Sequence, residues 1–257
     1  MAAEAYLTFS VTVAEGKRLI GKGVARLPQI EEAMAKGTVI VTRSTTAGYV
    51  VEELLGESID RCSFVTGRTV PSGHADRGKL LTGDIAEIVL RDGAVVEDYD
   101  EEAIMEELSA GDVIIKSPNA LDYGRSLVGY LIGAPTGGTV GKYLGPCHGK
   151  HLHFVAPCGL EKQVASDLVE AAKLHAEAGR RLKGPMLWTT PAQIVTELDA
   201  ISLLTGASAI QIGAGGVMGA EGAAWITASG TKAQIEAVQA LVDDVHGEPE
   251  MLEYAEG

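Results

Sequence analysis

Short apolar runs alternate along the chain with stretches whose apolar residues recur every three to four positions. Tyr6 to Val13 alternates and is rich in β-formers, which predicts a strand. Leu27 to Lys36 reads as a short helix, with Pro28 in its first turn and Gly37 as its stop. Thr38-Val39-Ile40-Val41-Thr42 has the continuous apolar character of a strand covered on both faces. Thr46 to Leu55 then places Ala47, Val50, Val51, Leu54 and Leu55 on one helical face, and Gly56 ends it. Arg61 to Thr66 reads as another strand.

The same reading continues downstream. Ile85 to Val96 predicts a hairpin turning at Asp92-Gly93. Asp100 caps a helix running to Leu108, Asp112 to Lys116 is a buried strand, and Leu127 to Ile132 is an apolar run leading into the glycine loop Gly133 to Lys142. His151 to Ala156 predicts a strand and Leu160 to Ala178 a long amphipathic helix. Beyond the basic run Gly179 to Lys183 the pattern is a helix (Ala192 to Leu204), two strands (Ala207 to Ile212, Ala223 to Ala228) and a helix (Lys232 to Val245). Thr231 with Gln234 makes a capping box for the last. Alternation of strands and helices implies βαβ units. The expectation is a doubly wound α/β domain with a largely parallel sheet over residues 1–183, followed by a small α+β unit over 184–257.

Composition narrows the function classes. The chain has 257 residues with a net charge of −14, and no basic cluster exceeds the run at Gly179 to Lys183, which argues against nucleic acid and anionic membrane as partners. No apolar window reaches the ~18 residues of a membrane span. Cys62, Cys147 and Cys158 are odd in number and irregular in spacing, so no disulfide framework is expected. With no basic leader at the N-terminus, a cytoplasmic location is expected.

Candidate chemistry lies where predicted strands meet helices. Arg43, Ser44, Thr45 and Thr46 stand at the start of a helix, where unpaired N–H groups and a partial positive charge favour phosphate or carboxylate. The bland alternative is simple capping. Lys116, Asn119 and Asp122 follow a second strand and offer a cation, an amide and a carboxylate within seven residues. Thr136, Gly137, Gly138 and Thr139, with Lys142, form a loop able to nest an anion. It is not a nucleotide-hydrolysing loop, because Thr136 occupies the position of the first glycine and Tyr143 follows Lys142. Gly213 to Gly219 looks like a dinucleotide loop but leads into a predicted strand, so no cofactor is expected. Cys147, His148, His151 and His153 match no regular zinc spacing, and no metal is assigned. Glu161 begins a helix, where the dipole alone favours it.

Residues 17 to about 165 resemble the superfamily of glucosamine-6-phosphate deaminase, ribose-5-phosphate isomerase and the coenzyme A transferases. The resemblance is carried by Asp112-Val113-Ile114-Ile115, Asn119, Asp122, Gly138-Thr139, Gly141-Lys142 and Phe154-Val155-Ala156-Pro157, and by Val39 to Thr42 with its hydroxyl-rich turn. The chain lacks the transferase glutamate motif and the Asp-Gly-Ala-Asp-Glu run of the isomerases. The resemblance implies a doubly wound fold that takes sugar phosphates or acyl-CoA thioesters. The sequence therefore points to an isomerase- or lyase-like enzyme for a small phosphorylated or carboxylated metabolite. Lys116 would stabilise enolate charge and Asp122 or Glu161 would move the proton. A non-catalytic protein binding the same anions is the alternative, and a homo-oligomer is compatible with either.

Overall fold

The apolar run Thr38 to Val41 has both faces covered because helices lie on either side of it. In the computed structural model, which describes residues 4–179 and 184–256, the chain opens with β1 (Ala5–Val11), α1 (Val13–Val24), α2 (Pro28–Lys36), β2 (Thr38–Val41) and α3 (Thr45–Leu55). Next come β3 (Ile88–Arg91), β4 (Ala94–Val95), α4 (Glu101–Glu107), β5 (Val113–Ile115), β6 (Ala120–Asp122), β7 (Leu127–Ile132) and α5 (Gly138–Gly149). Then follow β8 (His153–Pro157), α6 (Leu168–Gly179), β9 (Met186–Pro191), β10 (Gln193–Val195), α7 (Glu197–Thr205), β11 (Ser208–Ala214), β12 (Ala224–Gly230), α8 (Lys232–Val245) and α9 (Met251–Glu256).

The protein is a mixed α/β structure. Its six-stranded sheet has the order β10-β8-β5-β2-β3-β4. β10, β8, β5 and β2 are parallel, while β3 and β4 add an antiparallel edge. Side chains alternate across it. Val39, Val41, Val113, Ile115 and Val155 pack against α1, α2 and α3 through Ile20, Val24, Ile30 and Val50. Ile40 and Ile114 face the other way, onto Ile104 of α4 and Tyr143 of α5. Two further sheets, β1-β12-β11 and β6-β7-β9, are antiparallel. The segment beyond residue 184 contributes to all three sheets: β9 pairs with β7, β10 with β8, and β12 with β1. The basic run at residues 180–183, where the boundary between the two expected units falls, lies outside the described residues. No helix among the described residues is long and apolar enough to cross a membrane.

Four local expectations change, each for an identifiable reason. Arg61 to Thr66 is a turn rather than a strand, because the Asp60 carboxylate accepts the backbone N–H groups of Cys62 and Ser63 at 3.0 and 3.3 Å. The long helix expected from Leu160 is instead a single 3-10 turn over Leu160–Lys162, followed by α6 starting at Leu168. Between them Val164 N–H donates to Leu121 O, so pairing with β6 overrides helical periodicity. Gln193–Val195 is strand β10, and α7 begins only after Thr196, whose capping box with Asp199 starts it there. The glycine loop at Gly137 turns directly into α5, with Gly137 at φ +86°. The Thr231–Gln234 capping box is present as expected.

Charge draws α1, α3 and the segment after α8 together. Arg18 of α1 donates to Glu52 at 2.6 Å, Glu53 at 3.0 Å and Glu248 at 2.9 Å. Arg61 donates to Glu248 at 2.9 Å. Both guanidinium carbons lie over the buried Tyr49 ring, at 4.8 and 4.3 Å from its centroid. Burial opposes ionisation of Glu248, but its hydrogen bonds and attraction to Arg18 and Arg61 prevail and hold the carboxyl below its ordinary range. Close packing adds to this closure: a Cβ on Gly23 of α1 would lie 2.6 Å from the Ala200 Cβ of α7.

Two predictions follow from this packing. Glu248→Gln should lower folding stability by about 1.5–3 kcal/mol at pH 7, the range for charge-assisted hydrogen bonds. Because the folded carboxyl titrates low, this difference is full above the unfolded value of about 4.3 and fades as pH falls through the folded one. Urea titrations at pH 7 and pH 3 check both the size and the sign. Gly23→Ala should cost about 1–3 kcal/mol by forcing α1 from α7, against little change for Gly149→Ala, whose site is open.

Candidate functional site

The parallel strands end side by side, and each ends in a polar or charged turn. Thr42 N–H donates to Ile115 O at 3.0 Å, Lys116 N–H to Val155 O at 2.9 Å, and Cys158 N–H to Val195 O at 2.9 Å. The residues beyond β2, β5, β8 and β10 are thereby held in register at one edge. The Thr42 hydroxyl donates to Ile115 O at 2.9 Å. Ser44 caps α3 by accepting the Ala47 N–H at 3.0 Å, and its own hydroxyl donates to Ser117 Oγ at 2.9 Å. Two neighbouring strand ends are thus tied together by a hydroxyl pair. The fully buried Thr46 hydroxyl has no partner among the described residues. The Arg43 guanidinium donates to Gly83 O at 3.0 Å.

Lysines collect at this edge. Lys116 follows β5 directly, Lys162 ends the 3-10 turn after β8, and Lys17 stands on α1. Lys17 and Lys116 each keep part of their surface open to solvent. Neither amine has a hydrogen-bond or ion-pair partner among the described residues. Burial lowers Lys17 to about 8, and Lys162 adds to the effect while Glu161 and Glu197 oppose it. Burial likewise lowers Lys116 to about 8; Glu87 opposes, and Lys162 and Arg43 reinforce.

The carboxyl groups differ in accessibility. Glu197 opens α7 and is only 3% exposed. Its oxygens accept the Leu160 N–H at 3.0 and 3.3 Å, and a Cβ on Gly16 would lie 2.6 Å from its Oε1. Burial, aided by Glu161, raises Glu197 to about 8. Glu161 is exposed, with its carboxylate folded over Gly159. Glu87 accepts Tyr143 Oη at 2.5 Å and Lys142 Nζ at 3.2 Å, and Lys142 also reaches Glu101 at 2.8 Å.

The structure therefore brings Arg43, Ser44, Lys116 and Glu161 to one edge, with Thr45 and Thr46 in the first turn of α3. Lys142 joins indirectly, through Glu87. Thr136, Gly137, Gly138 and Thr139 lead into α5. Asn119 and Asp122 serve the neighbouring hairpin. The Asn119 side-chain oxygen accepts Leu131 N–H at 2.9 Å, and Asp122 caps the turn Tyr123–Arg125 by accepting Arg125 N–H at 3.2 Å. The charges bearing on Lys116 are those of Glu87, Lys162 and Arg43. Sequence reading overlooked Lys17 and Glu197. Lys17 has no local signature. Glu197 had one: Ile194-Val195-Thr196-Glu197 repeats the form of Ile40-Val41-Thr42-Arg43.

A surface depression of about 480 Å³ is lined by Lys22, Arg26, Glu31, Glu53 and Asp244 near the last turns of α1 and α3. Its charges are paired with one another, Lys22 with Asp244 at 2.9 Å and Arg26 with Glu31 at 3.5 Å. The amines without a protein partner among the described residues, Lys17 and Lys116, lie at the strand edge instead. Among the described residues no three His, Cys, Asp or Glu side chains assemble as a metal set. Comparison of the chain with protein-family models, with curated proteins and with solved structures finds no match.

Unpaired amines cost stability, which makes them testable. Lys17→Met and Lys116→Met should each raise folding stability at pH 7 by about 0.5–2 kcal/mol. A lysine lowered to about 8 in the folded state is penalised fully below that pH. The penalty fades between about 8 and the unfolded value of about 10.4, so the gain should shrink over that window. Denaturant titrations at pH 7 and 10 measure it; a loss of stability at pH 7 would mean that the amines are satisfied.

Proposed function

We propose that the chain is an isomerase- or lyase-like enzyme that works beside the carbonyl of a small phosphorylated or carboxylated metabolite, on a scaffold of the doubly wound kind. Helices on both faces of the six-stranded sheet support the scaffold, and in such sheets ligands bind outside the carboxyl ends of the strands. The observation that carries the proposal is the pair of amines, Lys17 and Lys116, half-buried at that edge without a hydrogen-bond or ion-pair partner among the described residues. An anionic ligand supplies the missing counter-charge. Arg43, Lys162 and the start of α3 hold the anion. Lys116 stabilises the oxyanion that develops on the carbonyl, and Lys17 with Glu197 or Glu161 takes up and returns the proton. The resemblance of Val39 to Thr42 and Gly111 to Lys162 to the glucosamine-6-phosphate deaminase and ribose-5-phosphate isomerase superfamily supports the same substrate class. Three buried cysteines, all free, support a cytoplasmic setting.

The enclosure of Glu197 beneath Gly16 favours a second reading, in which the edge binds the anion without turning it over.

A thermal-shift series against sugar phosphates, acyl-CoAs and small carboxylates should identify a binder. Proton exchange at the carbon next to its carbonyl, followed by NMR in D₂O, then separates the readings. Wild-type protein should catalyse exchange, and Lys116→Met should slow it by about 10²–10³. A binder that stabilises the protein with no exchange assigns the edge to binding alone.

A further inference from the structure

We propose that Lys116 condenses with the carbonyl carbon of the bound metabolite, so that the reaction passes through an iminium on this side chain. The inference rests on the anion site proposed above and replaces the charge-stabilising role of Lys116 there with a covalent one. Of the edge lysines, Lys116 is the one placed for covalent chemistry. It follows β5, which lies between β2 and β8. Its backbone is held at both ends: its N–H donates to Val155 O at 2.9 Å, and its C=O accepts the Tyr130 hydroxyl at 3.2 Å. Ile115 and Ser117 on either side are buried. A nucleophile on a rigid strand end attacks a substrate held by its neighbours, and Arg43 beyond β2 with Lys162 beyond β8 supply the cations that flank it.

The surroundings also favour the neutral amine. The carboxylate nearest in influence, Glu87, is already engaged by Tyr143 and Lys142. An ammonium at Lys116 thus lacks a free counter-ion and stands among other cations, a setting that activates lysine as a nucleophile. Lys17, in contrast, stands under the influence of Glu161 and Glu197, which suits proton transfer.

The steps balance. The Lys116 nitrogen lone pair forms the new C–N bond while the C=O π pair moves to oxygen. Proton transfer from nitrogen to that oxygen leaves a neutral carbinolamine. A further proton, taken from solvent at the open side of the residue, lets the hydroxyl depart as water and leaves the C=N⁺ iminium. The adjacent C–H bond then breaks: its electron pair moves into the iminium to give a neutral enamine, and its proton passes to Lys17 or Glu161. Return of a proton to carbon restores the iminium, and water adds to it, releasing the product carbonyl, the Lys116 amine and the proton first taken from solvent.

Borohydride trapping of the full chain tests this. The protein is incubated with pyruvate, dihydroxyacetone phosphate or ribose 5-phosphate and reduced with sodium borohydride, and its intact and peptide masses are measured. One probe should leave a single borohydride-dependent adduct on the Lys116 peptide, formed faster as pH rises towards 8. The adduct should be lost in Lys116→Arg, which keeps the charge, and in Lys116→Met, with melting curves confirming that both fold. An adduct on Lys17, or tagging spread over exposed Lys79 and Lys232 and unchanged in Lys116→Arg, overturns the assignment. No adduct from any probe overturns the iminium as well. If the same probes still raise the melting temperature, the anion site stands; if they do not, both readings fall.

Discussion

Everything at the candidate site depends on four short parallel strands being covered on both faces. β2, β5, β8 and β10 run from three to five residues each. With helices above and below, such strands admit apolar side chains along most of their length. Polar groups are displaced to the ends, and parallel pairing puts all carboxyl ends on one edge. The gathering of Arg43, Lys116, Lys162 and Glu197 is thus a consequence of topology: these residues are scattered through 155 positions of sequence, yet strand order makes their strand ends neighbours.

Two groups of buried charge show opposite solutions to the cost of desolvation. Around Tyr49, Arg18 and Arg61 face Glu52, Glu53 and Glu248, and this network ties α1, α3 and the segment after α8 together. Lys17 is one residue before Arg18 in α1 yet has no such partner among the described residues. On a helix, adjacent positions point about 100° apart, so one side chain serves the core network while the next reaches the strand edge. A protein able to pair Arg18 three ways has not been short of carboxylates for Lys17. Unpaired amines of this kind lower stability, a cost that functional sites commonly carry.

Closure of the fold is similarly non-local. β1 pairs with β12, and the Glu15 carboxylate both completes the capping box of α1 and accepts Gly247 N–H at 2.9 Å. These contacts place α1, and with it Lys17 and Gly16, against α7 and its first residue Glu197. Loop-closure entropy opposes pairings of such separation, so they form only because the apolar faces they cover are large.

The sequence by itself determined the local conformations with a strong period or a clear punctuation mark. Thr38 to Val41, the helix after Ser44, the hairpin at Asp92-Gly93 and the Thr231 capping box were all legible, because each is decided by its own residues. It also marked Arg43, Ser44, Lys116 and Glu161 as chemistry at strand ends. Tertiary structure decided the rest. Periodicity could not show that Gln193–Val195 leaves a helical pattern to pair with β8, or that Val164 pairs with β6, because those choices are made by backbone partners far along the chain. Nor could spacing show that Asn119 and Asp122 are taken up by their own hairpin while Lys17 and Glu197 come to the edge. Which charges are paired and which remain open is a property of the assembled packing, and the unpaired ones mark the candidate site.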